Sequence, residues 1–293
     1  MPSGIRMRDG RWLTFEEWGD PEGTPVVLLH GTPGGRQGLV PPEAAKEHPG
    51  VRFISYDRAG YGESDRGAGR RVAQAARDVA TLTDALEIGR FAVLGHGGGG
   101  PHALACAALL PSRVRRVAVT ASLAPPVAEG LDWFEGMAAS AVDELSRALT
   151  EPVEFADRLA ARAAAIRTDP AQYLASIRDG LSDADRRVLA TPAVSDMLLR
   201  SYREALGGSA YGWLDDSLAL LSHWGFDPEQ ISRPVLLWHG AQDTLSPVGH
   251  FEWLAGHIPR ARPVLDPEGG HFSALEALPD ILDWLRATPR SDA

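Results

Sequence analysis

Phe91-Ala92-Val93-Leu94-Gly95-His96-Gly97-Gly98-Gly99-Gly100-Pro101 is a short apolar run broken by glycines and followed at once by the segment His102 to Leu110. That order predicts a strand turning sharply into a helix, because glycine takes tight backbone turns without steric cost. Working outward, similar apolar runs recur at Val26 to His30, Val51 to Ser55 and Val114 to Thr120, with longer segments between them, of which Val72 to Leu86 has helical spacing. Strands alternating with helices predict an α/β chain with a mostly parallel sheet flanked by helices. Ahead of these runs, Ile5 to Trp18 partly alternates around Asp9-Gly10, a dipeptide suited to a tight hairpin, and a Gly/Pro cluster at Asp20 to Pro25 closes the segment. After Ala121 the pattern changes to helical stretches, Trp133 to Leu149, Phe155 to Ile166 and Ala193 to Leu206, with no convincing strand. Alternation returns with a strand at Val235 to His239, a helix from Pro247 to Ile258, a strand at Arg262 to Leu265 and a closing helix near Pro279 to Arg286. The expected organisation is a core of residues 1–122 and 233–293, with a helical cap, residues 123–232, inserted after the sixth strand.

Composition narrows the function classes. A chain of 293 residues, 44% hydrophobic, can bury one sizeable core. Its formal net charge of -10 argues against general affinity for nucleic acid or anionic membranes, which clustered Lys and Arg would drive. The single cysteine, Cys106, leaves no internal disulfide and no multi-cysteine metal site. No apolar segment reads as a signal peptide or a membrane span, so a cytoplasmic protein acting on a small molecule is expected, with no cofactor or metal and no stated oligomeric state. There is no internal repeat and no low-complexity tract.

In an open parallel sheet, reactive groups gather beyond the carboxyl ends of the strands. Each apolar run here is followed by such residues. His30-Gly31-Thr32-Pro33-Gly34-Gly35 is a turn whose backbone N–H groups can face a developing oxyanion. Asp57-Arg58-Ala59-Gly60-Tyr61-Gly62-Glu63-Ser64 follows the next run, and the glycine-rich elbow follows the third. Near the C-terminus, Asp243 lies beyond His239-Gly240, and His271 ends Glu268-Gly269-Gly270-His271.

These motifs, in this order along nearly the whole chain, resemble the α/β-hydrolase family, and within it the cap-bearing branch of proline-iminopeptidase-like and esterase-like enzymes. That family reads H-G-x-P-G, D-x-x-G-x-G-x-S, G-x-S-x-G, G-x-x-D and G-H. The resemblance implies oxyanion-hole amides at Thr32 and Gly98, a catalytic acid at Asp243 and a catalytic base at His271. It departs at one point: the nucleophile position is Gly97. The acid orients the imidazole, the imidazole takes the nucleophile's proton and the amides hold the oxyanion, so no acyl-enzyme can form at residue 97.

Three readings of that gap stand. His271 can act as a general base on water, or on a hydroxyl or acidic carbon of the substrate, in the space the side chain vacates, giving hydrolysis or a non-hydrolytic elimination, cyclisation or carbon–carbon cleavage. Alternatively, glycine replaces the serine of an ordinary serine hydrolase, by natural loss or as an introduced change. In the third reading the pocket binds a ligand without turnover. Under all three the elbow tolerates glycine, since its nucleophile position is a strained one.

Several other residues invite competing roles. Gly95, Gly97 and Gly100 spell a dinucleotide fingerprint, but no Asp or Glu occurs between Gly100 and Ala128 to hold a ribose. Cys106 lies over two turns into the following helix and reads as core. His96, His102, His250 and His257 show no metal-ligand spacing; only His96, beside the elbow, is a pocket candidate. Asp57 reads as a loop stabiliser, and Asp266 and Glu268 as minor alternatives for orienting His271. Of the insertion's aromatics, Trp133, Phe134, Tyr173, Tyr202, Tyr211, Trp213, Trp224 and Phe226, one or two are expected to reach a ligand, with Trp133 and Trp213 the candidates.

Overall fold

A computed structural model describes residues 3–40 and 44–287. Positions 1–2, 41–43 and 288–293 of the expected core range lie outside the described residues. Eight strands form one sheet: β1 (Ser3–Arg6), β2 (Trp12–Gly19), β3 (Thr24–Leu29), β4 (Val51–Tyr56), β5 (Phe91–His96), β6 (Val114–Thr120), β7 (Val235–Gly240) and β8 (Ala261–Asp266). Their order is β1-β2-β4-β3-β5-β6-β7-β8; β2 runs antiparallel to its neighbours, and β3 to β8 are parallel. The helices are α1 (Ala44–Glu47), α2 (Gln74–Ala85), α3 (Gly99–Leu109), α4 (Ala139–Thr150), α5 (Pro152–Thr168), α6 (Pro170–Arg178), α7 (Asp183–Leu189), α8 (Pro192–Ala205), α9 (Tyr211–Leu220), α10 (Val248–His257) and α11 (Leu278–Arg286).

The central strands carry continuous apolar runs because both faces of the sheet are covered. Side chains alternate across a strand. Val27, Leu29, Ile54 and Val93 pack on one face with α2, α3 and α10, while Val26, Leu28, Phe53 and Leu94 pack on the other with α11. Helices α4 to α9 lie between β6 and β7 and form a helical cap with its own cluster, including Phe155, Leu159, Tyr173, Met197, Tyr202 and Trp213, joined by Tyr61 and Phe272 of the core.

The fold differs from the sequence-based expectation at the start of the insertion. The expected helix from Trp133 begins only at Ala139, since Asp132 to Ala138 folds into successive turns. Helices α6, α7 and α9 complete the helical insertion beyond the stretches singled out in the sequence; Asp169 caps the first, its carboxylate accepting the N–H groups of Ala171 and Gln172, and Ser182 caps the second. No described helix is long and apolar enough to cross a membrane.

Strand order reverses around β3, the chain passing from β3 to β4 on one side and later to β5 on the other. A crevice beyond the carboxyl ends of β3 and β5 follows from that reversal.

Candidate active site

The loops after β3, β5, β7 and β8 converge there. Past β5, Gly97 has φ +53°, in the left-handed region where an L side chain is strained and glycine is not. Neighbouring glycines answer to packing: a side chain on Gly99 would run into the Leu29 and His30 carbonyls of the adjacent loop. Gly99 thus serves the close approach of α3 to β3, while of the glycines that spell a dinucleotide fingerprint Gly95 packs against Gly99 and Ala103 and Gly100 against Ser122.

Asp243 and His271 meet in the crevice. The His271 Nδ1 is 2.9 Å from the Asp243 Oδ2, while the Asp243 Oδ1 accepts the N–H groups of Leu245 (2.8 Å) and Ser246 (2.9 Å). Burial pushes the His271 imidazole down, but the Asp243 carboxylate outweighs it and holds the ring above its ordinary 6.5. Burial pushes the Asp243 carboxyl up, and the charge and hydrogen bond of His271 carry it below the usual 3.8. With its Nδ1 engaged, His271 presents Nε2, which has no hydrogen-bond partner among the described residues. A Cβ at residue 97 would stand 3.1 Å from that Nε2, closer than ordinary van der Waals contact. The space a side chain would take is therefore partly claimed by the imidazole itself.

Thr32 and Gly98 stand side by side: a Cβ on Gly98 would overlap the Thr32 hydroxyl and lie 3.3 Å from the Thr32 nitrogen. Neither backbone N–H has an acceptor among the described residues. The Thr32 hydroxyl donates to the Asp216 Oδ2 of α9 at 2.7 Å. Asp216 is wholly buried and also takes the Tyr61 hydroxyl (3.0 Å) and the guanidinium groups of Arg58 and Arg70. Burial pushes its carboxyl up, but the two arginines hold it well below the carboxylate range. Arg58 also donates to the carbonyls of His30 and Gly31, so the turn after β3 is strapped from the Asp57-Arg58 loop and from the cap together.

A cavity of about 190 Å³ opens between these loops and the cap. His96, Trp213, Tyr173 and Tyr202 line it, as do the ion-paired Glu144 and Arg162. Trp213 donates to the Glu144 carboxylate at 3.1 Å, and Arg162 lies 5.4 Å from the ring centres of both Tyr173 and Trp213. His96 has its ring centre 4.7 Å from that of His271 and its Nδ1 2.9 Å from the Thr120 hydroxyl. Burial lowers its pKa to about 3, so it is neutral at ordinary pH.

Trp133 is a correction. It does not line the cavity: its Nε1 donates to the Ala124 carbonyl at 2.9 Å, and its ring meets His250 edge-on at 5.0 Å. Because Asp132 to Ala138 is not helical, the indole turns into the main core rather than toward the cap. Phe134, Tyr211, Trp224 and Phe226 also lie away from the cavity. Asp57 is paired with Arg36. Asp266 caps its own turn through the Glu268 N–H at 3.1 Å, and the His271 ring bonds Asp243 instead. Cys106 is buried, and burial pushes its thiol up. His102 bonds the Gly98 carbonyl, His250 the Trp133 carbonyl and His257 the Trp253 carbonyl.

Sequence reasoning missed Asp216 and Asp185, the cap carboxylates bonded to the core loops. A signal for Asp216 existed: Asp215-Asp216 interrupts an otherwise apolar helix, and buried carboxylates require partners. Asp185 carried none, since Ser182 and an acid three residues on read as an ordinary helix start.

Residues 24–278 match the family described as alpha/beta hydrolase fold. A "Non-heme chloroperoxidase" of Streptomyces lividans is 30% identical over 285 residues, 95% of this chain and 96% of that protein. A "2-hydroxymuconate semialdehyde hydrolase" of Pseudomonas sp. (strain CF600) is 29% identical over 266 residues, 87% of this chain and 82% of that one. Among solved structures, the enol-lactonase from Burkholderia xenovorans LB400 superposes with a TM-score of 0.70 at 22% identity, covering 97% of this chain and 100% of that one.

Proposed function

Since the chain belongs to the α/β-hydrolase fold family, we propose that it hydrolyses a small ester, amide or related carbonyl compound by general-base catalysis, with no covalent intermediate at Gly97. One observation carries this reading: the His271 Nε2 lies 3.1 Å from where a Cβ at residue 97 would stand and has no hydrogen-bond partner among the described residues, and His271 lines the cavity. Nε2 takes a proton from a water in the cavity, and the water oxygen bonds to the substrate carbonyl carbon. The carbonyl electrons move to oxygen, where the N–H groups of Thr32 and Gly98 receive them. The imidazolium, held by Asp243, then returns the proton to the leaving oxygen or nitrogen as its bond to carbon breaks.

A general base contributes about 10²- to 10⁴-fold, and each oxyanion donor about 10²- to 10³-fold, so slow but measurable turnover is expected without a nucleophile. The cavity suits a small substrate, with His96, Trp213, Tyr173 and Tyr202 on its walls. Relatives named as a semialdehyde hydrolase and a chloroperoxidase have related sequences and different names, which makes the site chemistry, rather than the fold, the basis of this reading.

The test is turnover of a panel of p-nitrophenyl esters, anilides and small lactones by the native chain, His271→Ala and Asp243→Asn, with intact-protein mass measured during turnover. Activity lost in His271→Ala, with no acyl adduct on the native chain, is expected. An adduct, or activity that survives His271→Ala, overturns the reading; tight binding without turnover supports an inert binding module instead.

A further inference from the structure

The main chain of His271 is held by the cap. Asp185, on the third residue of α7, is fully buried. Its Oδ2 accepts the His271 N–H at 3.0 Å, and its Oδ1 accepts the Phe272 N–H at 2.7 Å. The Ser182 hydroxyl, 2.9 Å from Oδ2, adds a third bond and keeps the carboxylate aimed at the core. The core side is shaped to receive it: a Cβ on Gly270 would overlap both the Asp185 Oδ2 and the Ser182 hydroxyl. The glycine before the histidine is thus the opening through which a cap carboxylate reaches the histidine's backbone.

The imidazole then has two independent anchors. Asp243, from the loop after β7, fixes the ring through Nδ1. Asp185, from a helix inserted more than 80 residues earlier in the chain, fixes the peptide that carries it. With both in place the side chain has little freedom, and Nε2 is held against Gly97.

We propose that Asp185 is a positioning residue: it ties α7 of the cap to the backbone of His271 and so sets where the base stands. The role rests on the reading of His271 as general base, but its primary test reads the place of the ring and not the reaction. Three variants of the full chain break the contact: Asp185→Ala removes both acceptors, Asp185→Asn keeps one, and Gly270→Ala crowds the carboxylate out from the other side. Asp169→Ala is the control, since it uncaps α6 in the same cap and makes no bond to the His271 loop.

The ring is followed by the nitrogen-bound proton resonance of His271 in histidine-labelled protein, identified by its loss in His271→Ala. Asp185→Ala and Gly270→Ala are expected to shift or broaden that resonance and to move the titration of the ring back toward 6.5 as its hold on Asp243 loosens, with Asp185→Asn intermediate. Asp169→Ala lowers the melting temperature and leaves the resonance in place. In turnover, Asp185→Ala lowers kcat about 10- to 100-fold, as for a reacting atom displaced by up to about 1 Å, while KM changes less than about threefold. The Asp185→Ala/Gly270→Ala double variant falls no further than the worse single, because both break one contact.

An unmoved His271 resonance in folded Asp185→Asn and Gly270→Ala overturns the proposal, as does a shift of equal size in Asp169→Ala. A resonance that moves with Asp185 while His271→Ala keeps its turnover supports the anchoring and overturns the general-base reading instead.

Discussion

Replacing Gly97 by alanine adds one carbon at the point on which the proposed chemistry depends. The backbone there sits at φ +53°, so alanine pays a left-handed penalty of about 1–2 kcal/mol. The new Cβ would also lie 3.1 Å from the His271 Nε2, and the ring must retreat by about half an ångström to reach an ordinary contact. The retreat draws on the 2.9 Å bond to Asp243. A melting temperature lower by about 2–3 °C is therefore expected by calorimetry. Because a 1 Å misplacement can cost about 10²-fold, turnover should fall about tenfold. A compound scored as hydrolysed by the native chain serves as substrate, and kcat/KM across pH separates a displaced base from a general loss of fold. Full activity of Gly97→Ala with an unchanged pH profile would mean that the Nε2 face beside residue 97 is not where the reaction occurs. Gly97→Ser gives the complementary result: it should react with a fluorophosphonate more slowly than a native serine hydrolase, because the same crowding holds the ring away from its working place.

Further predictions concern protonation and buried charge. His271 must be neutral to act as base, so kcat/KM should rise with pH through a midpoint above 6.5; a flat profile from pH 5.5 to 8.5 would exclude it. Its contribution to stability has the opposite sign, complete below the unfolded value near 6.5 and lost as pH rises through the raised folded value, which a pH series of urea melts against His271→Ala should detect. Asp216→Ala strands Arg58 and Arg70 in the interior and frees the Thr32 hydroxyl, so it should cost about 3–5 kcal/mol in denaturant unfolding; a loss under about 1 kcal/mol would refute the strap described for the turn after β3. Cys106, buried and with its thiol pushed up, should resist iodoacetamide at pH 8 in the native chain and react only on unfolding, as labelling followed by mass measurement will report.

The part of the molecule legible in its sequence is the part governed by local rules. Val114 to Thr120 is a strand from end to end because the mostly β-branched stretch Val117 to Thr120, buried on both faces, admits little else, and the other parallel strands match within one or two residues. Asp243 and His271 are paired by the family resemblance of the motifs, with Asp266 and Glu268 left as alternatives; each follows a strand at the crevice side of the sheet, where side chains converge. The cap is less legible. Short helices such as α7, with seven residues, carry too few turns for an apolar period, and the apolar spacing around Trp133 suggests a helix that in fact begins six residues later. Asp185 looks like an ordinary helix-start acid in the sequence, and the apolar helix around Asp216 signals burial without naming its partner; only the approach of loops distant along the chain makes each an acceptor for a core turn.

The two cap carboxylates bear on how freely such a cap can be exchanged. A substituted cap that filled the same volume, but lacked an acid opposite residue 32 or opposite the Gly270-His271 peptide, would leave buried donors on both core loops with nothing to accept them. Transplanting specificity into this scaffold therefore means carrying Asp185 and Asp216 along with the pocket walls. In this chain the insertion and the core are joined through the two loops on which the proposed chemistry depends, and cannot be treated as interchangeable parts.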